Sequence, residues 1–271
     1  MTERIAFIGG GNMASAIIGG LIKQGLSPLT IDVVEPFEEA RDKLQSSFGI
    51  TAQVQAGPFL SNAALVIWAV KPQIFRAAAV AVAAHTLQAL HLSVAAGIRS
   101  DSIAIWLGTD RVVRAMPNTP ALVGKGITGL FARAGVSAAD QARITQVMAS
   151  TGESIWLGAE EKLDVVTALS GSGPAYVFYF MEAMTTAGIE MGLSREQAHQ
   201  LAIATFVGAS ELARSASESP QVLRQRVTSK GGTTYAAISS MEENDMRALF
   251  IDAMYAARER AKALGDEFGA D

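Results

Sequence analysis

The sequence predicts an α/β domain with a parallel sheet, followed by an all-α domain. From residue 4 to about 157, short runs rich in β-branched and aromatic residues alternate with helical segments. That alternation is typical of a parallel sheet covered by helices on both faces. After residue 160 there is no strand pattern, and apolar residues recur at helical spacing. We therefore predict domains of residues 1–159 and 160–271.

Seven runs in the first domain are predicted to form strands, separated by helices such as residues 13–24 and 36–48. Five should be buried: RIAFI (4–8), TIDVV (30–34), LVIWAV (65–70), HLSVAA (91–96) and RVVRAM (111–116). Two more are GITGLFA (126–132) and ESIWLG (153–158), for which an antiparallel arrangement is also open.

The second domain begins with a segment, residues 161–191, that is apolar on nearly every side. Further helices are expected over residues 195–214 and 245–264. A helix that is apolar all round needs cover from more than one direction. Because this domain is short, a second subunit is the natural source of that cover, and we expect a homodimer formed through the helical domain.

Composition excludes several classes of protein. The net charge is −4 with dispersed basic residues, which argues against nucleic acid or an anionic membrane as partner. The chain has no cysteine, so disulfides, thiolate catalysis and cysteine-based metal sites are excluded. The three histidines share no ligand spacing, so no metal site is expected. No signal-like or bilayer-length apolar segment is found, and a cytoplasmic location is expected.

A glycine-rich loop follows the first predicted strand, in the stretch IAFIGGGNMASAIIGGL. Gly9, Gly11 and Ala14 form a G-x-G-x-x-A pattern between a strand and a helix. Gly9 would make the tight turn, Gly11 would let a pyrophosphate approach the backbone, and Ala14 would allow close packing of helix on strand. This context predicts a dinucleotide-binding domain of the Rossmann type, with a merely tight turn as the alternative.

Two further positions bear on the cofactor. Glu35 ends the second predicted strand, where an acidic side chain accepts hydrogen bonds from the ribose of NADH and repels a 2′-phosphate. Alternatively, Glu35 is a solvated carboxylate in a loop. No arginine follows it directly, and Arg41 lies six residues further on. Lys71 and Pro72 follow the third strand, at the sheet edge where ligands bind, and we expect them to lie beside the cofactor. The alternative is an ordinary turn with an exposed lysine.

A second glycine-rich loop lies in VTSKGGTTYAAI, residues 227–238, just before a helical run. Free N–H groups at a helix start can bind an anion. The alternative is that Ser229, Thr233 or Thr234 caps the helix. A third cluster, residues 170–174, places helix-breaking residues inside a helical segment. Two explanations are possible: the cluster allows another helix to cross closely, or it leaves room for a substrate.

Five motifs in order, FIGGGNMASAII, AVKPQ, RAMPNTPA, ALSGSGPAYVF and VTSKGGTT, resemble the pyrroline-5-carboxylate reductase family over essentially the whole chain. The resemblance implies a Rossmann-type domain followed by an all-α dimerisation domain. It implies reduction of 1-pyrroline-5-carboxylate to L-proline by NADPH or NADH, the final step of proline biosynthesis. It also implies a homodimer that can assemble further into a decamer.

The resemblance also implies a set of site residues. The cofactor-binding set begins with Ile8, Gly9, Gly10, Gly11, Asn12 and Met13 at the pyrophosphate, followed by Ala14. It continues with Glu35 at the adenosine ribose, with Ala69, Val70, Lys71, Pro72, Ala95, Ala96 and Gly97 along the path to the nicotinamide, and with Asn118 in the loop beside the ring. The substrate loop is Ser229, Gly231, Gly232, Thr233 and Thr234.

In this interpretation the substrate carboxylate is the anion held by the late loop. Thr234, with Ser229 as the other catalytic candidate, would orient an already protonated imine or relay a proton through water. Two departures from the family pattern matter. Lys230 stands where many members carry proline, and Glu35 leans toward NADH where NADPH-preferring members have a small or basic residue.

Two other functions remain to be distinguished. One is another reductase of similar build, acting on a 3-hydroxy acid or on a different cyclic imine. The hydroxy-acid enzymes use a lysine on the long helix of the second domain, and no lysine lies between Lys162 and residue 230. A non-catalytic redox sensor would keep the first loop and have no need of the second. Among acidic residues near the predicted site, Glu160 and Asp164 fit the first turn of a helix better than a catalytic role.

Overall fold

The computed structural model describes residues 3–269, which form two compact units. One consists of residues 3–172 together with 257–269, and the other of residues 173–256. Residues 160–172 therefore pack with the sheet, although their sequence character is that of the helical half. The domain boundary between residues 159 and 160 stays a prediction.

The first unit is built on one seven-stranded sheet with the order β2-β1-β3-β4-β5-β6-β7. Neighbours from β2 through β5 are parallel, β6 runs antiparallel to β5, and β7 runs parallel to β6. The predicted parallel sheet is confirmed, and the antiparallel arrangement left open for the last two strands holds for β6 against β5. The strands are β1 (Arg4–Ile8), β2 (Ile31–Val34), β3 (Ala63–Trp68), β4 (Leu90–Ser93), β5 (Val112–Met116), β6 (Gly126–Ala132) and β7 (Gly152–Trp156).

Helices cover both faces of this sheet. Alternate strand residues form two separate hydrophobic clusters, one centred on Phe7 and Ile67 and the other on Val66 and Trp68. This doubly covered arrangement is what runs of apolar residues in parallel strands predict. The helices of the unit are α1 (Asn12–Lys23), α2 (Glu38–Phe48), α3 (Pro72–Ala83), α4 (Ser100–Leu107), α5 (Ala138–Met148) and α6 (Lys162–Val166).

The second unit is helical among its described residues. Its helices are α7 (Gly173–Glu190), α8 (Arg195–Ser215), α9 (Pro220–Arg226), α10 (Thr233–Glu243) and the first part of α11 (Met246–Gly269), whose last residues belong to the first unit. The sequence did not single out the short helix α9. The segment predicted as one apolar helix over 161–191 is divided, because a π-turn over Thr167–Gly171 separates α6 from α7.

Large apolar side chains are exposed on several helices of the second unit. They include Phe178, Tyr179, Val207, Leu212, Leu249 and Tyr255. An apolar surface of this kind is typical of a protein–protein interface. None of the helices within residues 3–269 combines the length and apolar character needed to cross a membrane.

A buried histidine pairs with a tryptophan in the sheet. Nε1 of Trp68 on β3 donates a hydrogen bond of 3.1 Å to Nδ1 of His91 on β4. Burial lowers the pKa of His91 from 6.5 to about 4, opposed by a backbone hydrogen bond with Thr86, and the charge of Arg111 lowers it further. His91 is therefore a neutral, buried residue whose Nδ1 is occupied by Trp68.

The depressed pKa of His91 predicts a loss of stability in acid. The neutral ring is favoured by the fold, so the stabilisation is complete above pH 6.5 and is lost as the pH falls toward 4. We expect this group to lower the free energy of unfolding by about 3 kcal/mol across that window. Urea unfolding at a series of pH values, for this protein and for His91→Leu, measures it. The variant should have a shallower pH dependence, and equal slopes would contradict the prediction.

Candidate active site

The strand order defines where a ligand should bind in the first unit. The chain leaves β1 toward β2 on one side and returns to β3 on the other, and ligands of such sheets bind beyond the carboxyl ends of the two strands flanking this switch. Gly9–Gly11 follow β1, and Ala69–Pro72 follow β3. The N–H of Ala69 donates to the carbonyl of Ile8 at 2.8 Å, so the two loops lie side by side.

The three glycines of the first loop have different surroundings. Gly9 has a φ of +96°, and a Cβ placed on it would lie 2.6 Å from the carbonyl oxygen of Ala69. A Cβ on Gly10 would lie 2.7 Å from Cδ1 of Leu44, whereas one on Gly11 would meet nothing within 4 Å. Gly9 and Gly10 are thus required by packing, and Gly11 faces open space. This is the shape that a pyrophosphate-binding loop needs.

The helix that follows this loop starts without a side-chain cap. Gly11 occupies the N-cap position of α1, and no side chain within residues 3–269 caps the start of this helix. Asn12 is exposed, Met13 is half-buried and Ala14 is buried against the core. The uncapped N–H groups are available to an anionic ligand. The residues present therefore fit a dinucleotide, as the sequence predicts.

Glu35 lies beneath the first loop. Only 5% of its surface is exposed, so the alternative of a solvated loop carboxylate is wrong. Its Oε2 accepts a hydrogen bond of 2.7 Å from the N–H of Gly10, and its Oε1 accepts one of 2.9 Å from the N–H of Phe37. Glu35 therefore fixes the backbone of the loop, a role that the sequence did not reveal, and its contact with the ribose stays a prediction.

The loops after β3, β4 and β5 contain the other predicted cofactor residues. Lys71 is exposed and is the N-cap residue of α3, and Pro72 is its first residue. The N–H of Ala95 donates to Oγ of Ser93 at 3.3 Å. Gly97 has a φ of +71°. The proposed contacts of Val70 and Ala96 with cofactor, like those of their neighbours, stay predictions.

Asn118 is buried, and its side chain is engaged at both ends. Its Oδ1 accepts a hydrogen bond of 3.1 Å from the N–H of Ile127, and its Nδ2 donates one of 3.1 Å to the carbonyl of Ser170. Asn118 thus ties the loop after β5 to both β6 and the π-turn. This structural role was not evident from the motif that contains it.

The π-turn explains part of the glycine cluster at residues 170–174. A Cβ on Gly171 would lie 2.6 Å from Cε of Met116, so the absence of a side chain allows the turn to pack closely on β5. Pro174 lies in the first turn of α7, where a missing N–H costs nothing. Close packing is therefore one function of this cluster, and π-turns are frequent at functional sites.

The second glycine loop lies between α9 and α10. Gly231 has a φ of +75°, and the N–H of Gly232 donates to the carbonyl of Ser229 at 2.9 Å. Gly232 is the N-cap residue of α10, which has no side-chain cap. The capping alternative for Ser229, Thr233 and Thr234 is therefore wrong. The first turn of α10 presents uncapped N–H groups, which makes it suitable for a carboxylate.

Charged residues near the second loop are paired with each other. Nη1 of Arg224 lies 2.9 Å from Oε1 of Glu242, and Nη2 of Arg226 lies 2.5 Å from Oε1 of Glu218. Pairing reduces any attraction that the two arginines exert on an anionic substrate. Lys230, within the loop, is exposed.

The acidic residues at the start of α6 belong to a network in the first unit. Glu160 accepts hydrogen bonds from Nη1 of Arg114 at 2.6 Å, from the N–H of Ser100 at 2.7 Å and from Oγ of Ser100 at 2.5 Å. Burial raises the pKa of Asp164, against the lowering effect of Arg114 and Arg99. These contacts give Glu160 a structural role in the first unit.

Fold and loop geometry define the class of protein, a Rossmann-type dinucleotide-binding protein with a helical C-terminal domain. Its relatives and matching family models show that it is an NAD(P)H-dependent oxidoreductase. Comparisons with known proteins give the family. Residues 160–264 match the model for pyrroline-5-carboxylate reductase dimerisation, and residues 4–97 match that for NADP oxidoreductase, coenzyme F420-dependent.

Relatives and solved structures agree with these matches. The chain is 45% identical over 270 residues to the pyrroline-5-carboxylate reductase of Pseudomonas aeruginosa, covering 99% of each chain, and 38% identical over 267 residues to that of Escherichia coli, covering 97% of this chain and 99% of the relative. The structure of a pyrroline-5-carboxylate reductase from Coxiella burnetii matches with a TM-score of 0.90 at 39% identity, covering 97% and 99% of the two chains. The Plasmodium falciparum pyrroline carboxylate reductase with NADP bound matches with a TM-score of 0.87 at 27% identity, covering 97% and 98%. The chain belongs to the pyrroline-5-carboxylate reductase family.

Proposed function

We propose that this protein reduces 1-pyrroline-5-carboxylate to L-proline with NADPH or NADH, and so performs the final step of proline biosynthesis. The observation that carries the proposal is the uncapped start of α10 behind the Gly231–Thr234 loop. A non-catalytic dinucleotide sensor has no use for this second anion site. The membership of the chain in the reductase family supports the same conclusion.

The cofactor is proposed to bind at the switch between β1 and β3. The N–H groups that begin α1 hold the pyrophosphate, and Gly11 leaves space for it. Glu35 lies at the adenosine ribose while fixing Gly10 from below. The loops after β3, β4 and β5 line the path to the nicotinamide, which supplies a hydride when reduced.

The substrate carboxylate is proposed to bind at the start of α10. The N–H groups of Thr233 and Thr234, in the first turn of α10, have no side-chain cap, whereas the N–H of Gly232 is used within the loop by the carbonyl of Ser229. A helix N-terminus stabilises a nearby anion by about 0.3–2 kcal/mol, and direct hydrogen bonds add to this. Because the substrate is one small ring, fixing its carboxylate also limits the orientation of the imine carbon.

Thr234 is proposed to orient the imine nitrogen. Its hydroxyl makes no hydrogen bond to another residue within 3–269 and its side chain is half-buried. A neutral threonine is a weak acid, so its role is to hold an already protonated imine or to relay a proton through water. Ser229, exposed two residues before Gly231, is the second candidate for this role.

The competing 3-hydroxy-acid chemistry has weaker support. It requires a lysine on the long helix of the second domain, and α7 contains none. Lys162 is exposed in the first turn of α6, which belongs to the first unit.

The assembly is proposed to be a homodimer formed through the helical domain, with a decamer built from dimers as its larger form, in the cytoplasm. The exposed apolar side chains of α7, α8 and α11 support a partner copy, since they would otherwise face water. The proposed domain boundary at residues 159 and 160 coincides with the first residue matched by the dimerisation model.

The function is tested by mixing the purified protein with the cyclic imine and either NADH or NADPH. We expect a loss of absorbance at 340 nm that depends on the imine, together with formation of proline. A 3-hydroxy acid with the oxidised cofactor serves as the control and should give no signal. Cofactor binding without turnover of the imine would contradict the proposal.

A further inference from the structure

We propose that Arg41 binds the 2′-phosphate of NADPH and thereby lets this chain use NADPH although Glu35 ends β2. The inference rests on the proposed function, because it requires a dinucleotide in the β1–β3 site. The inference assigns cofactor specificity to a residue on α2. In dinucleotide-binding sheets, specificity is ordinarily determined by the residue at the end of β2.

The first step concerns the charge of Glu35. An acidic residue at this position favours NADH when its carboxylate points freely at the ribose. Here each carboxylate oxygen already accepts a backbone N–H, one from Gly10 and one from Phe37. Two N–H donors offset much of the negative charge, and the buried carboxylate is held under the loop. Its repulsion of a 2′-phosphate is therefore weaker than that of a free glutamate.

The second step concerns the position of Arg41. Its Nη1 donates hydrogen bonds of 3.1 Å to the carbonyl of Glu35 and 2.6 Å to the carbonyl of Pro36. The guanidinium is thus held against the backbone at the end of β2, where the adenosine ribose is expected. Only Nη1 is used by these bonds. Nη2 and Nε form no hydrogen bond or ion pair with any residue from 3 to 269, so these donors remain for a phosphate.

The third step concerns the surrounding charges. Glu38 and Glu39 open α2, and Asp42 and Lys43 follow Arg41 on the same helix. All four are exposed, so water and salt screen their effect on a bound phosphate. Arg41 is half-buried and fixed by two carbonyls, and its planar fork matches a phosphate group. The fixed cation therefore outweighs the screened carboxylates.

The test compares two ligands that differ only in the 2′-phosphate, adenosine 2′,5′-bisphosphate and adenosine 5′-monophosphate, by isothermal titration calorimetry on the full chain. Arg41→Gln should raise the dissociation constant of the bisphosphate by roughly tenfold or more and change that of the monophosphate less than about twofold. Arg41→Lys keeps the charge without the fork and should fall between the two. Lys43→Gln, an equal charge change two residues away, should leave both ligands nearly unaffected.

Several results would overturn the inference. Equal weakening of both ligands by Arg41→Gln would make Arg41 a structural residue, and no weakening would remove it from the site. The unaltered protein could bind the monophosphate but not the bisphosphate, while still reducing the imine with NADH. That result would reject the role of Arg41 and leave the proposed function standing. Failure of both ligands to bind would reject the cofactor site itself. Thermal unfolding of each variant shows whether a loss of binding comes from a loss of fold.

Discussion

Replacing Thr234 with valine is expected to lower kcat for imine reduction about 100-fold. Valine has nearly the shape of threonine and lacks the hydroxyl, so the variant removes one hydrogen bond to the reacting nitrogen and little else. KM should change far less, because the carboxylate is held by backbone N–H groups that the substitution leaves in place. Steady-state kinetics with saturating NADPH or NADH measure both constants.

Thr234→Ser is the matched control for this change. It restores a hydroxyl on the same atom and should keep activity within about tenfold of the unaltered protein. The melting temperature of both variants should be unchanged, since no side chain caps α10. If Thr234→Val kept full kcat, or lost activity only together with stability, the orienting role would be rejected, and Ser229→Ala would test the remaining candidate.

Most of the fold could be predicted from the sequence because its elements have strong local signals. The runs RIAFI and GITGLFA coincide with β1 and β6 residue for residue, since each is bounded by glycine, proline or charged residues. The division of the helical segment at Thr167–Gly171 was harder to foresee. A π-turn differs from an α-helix by one inserted residue, and the contact that Gly171 makes there is with Met116, which is distant in sequence.

The candidate site shows the same contrast. Its loops could be located from Gly9, Gly11 and the Gly231–Thr234 stretch, because glycine patterns mark turns of special geometry. The partners of polar side chains could not, since they depend on contacts across the sheet. Glu35 bonds to Gly10, 25 residues away, and Asn118 bonds to Ser170, 52 residues away. The position of Arg41 is an intermediate case: its place early in a helix could be predicted, but its hydrogen bond to the carbonyl of Glu35 could not.

The second large effect is expected from alanine at Gly11. A methyl group there meets no protein atom within 4 Å, and its backbone angles suit any residue, so the fold should be unaffected. The same methyl would project into the space where a pyrophosphate approaches the start of α1. We expect the dissociation constants of NADH and NADPH to rise together, by about 10- to 100-fold, with an unchanged melting temperature. Fluorescence titration of the reduced cofactor measures the binding.

Gly9→Ala provides the opposite control within the same loop. Its methyl would lie 2.6 Å from the carbonyl of Ala69, at a φ of +96° that alanine rarely adopts. The free energy of unfolding should fall by about 1–3 kcal/mol or more, and cofactor binding should weaken as a consequence of that loss. The two variants thus distinguish two requirements within one loop: Gly9 is needed for packing, and Gly11 is needed for ligand binding. If Gly11→Ala bound both cofactors with unchanged affinity, the pyrophosphate would not approach this loop, and the assignment of the β1–β3 switch as the cofactor site would fail.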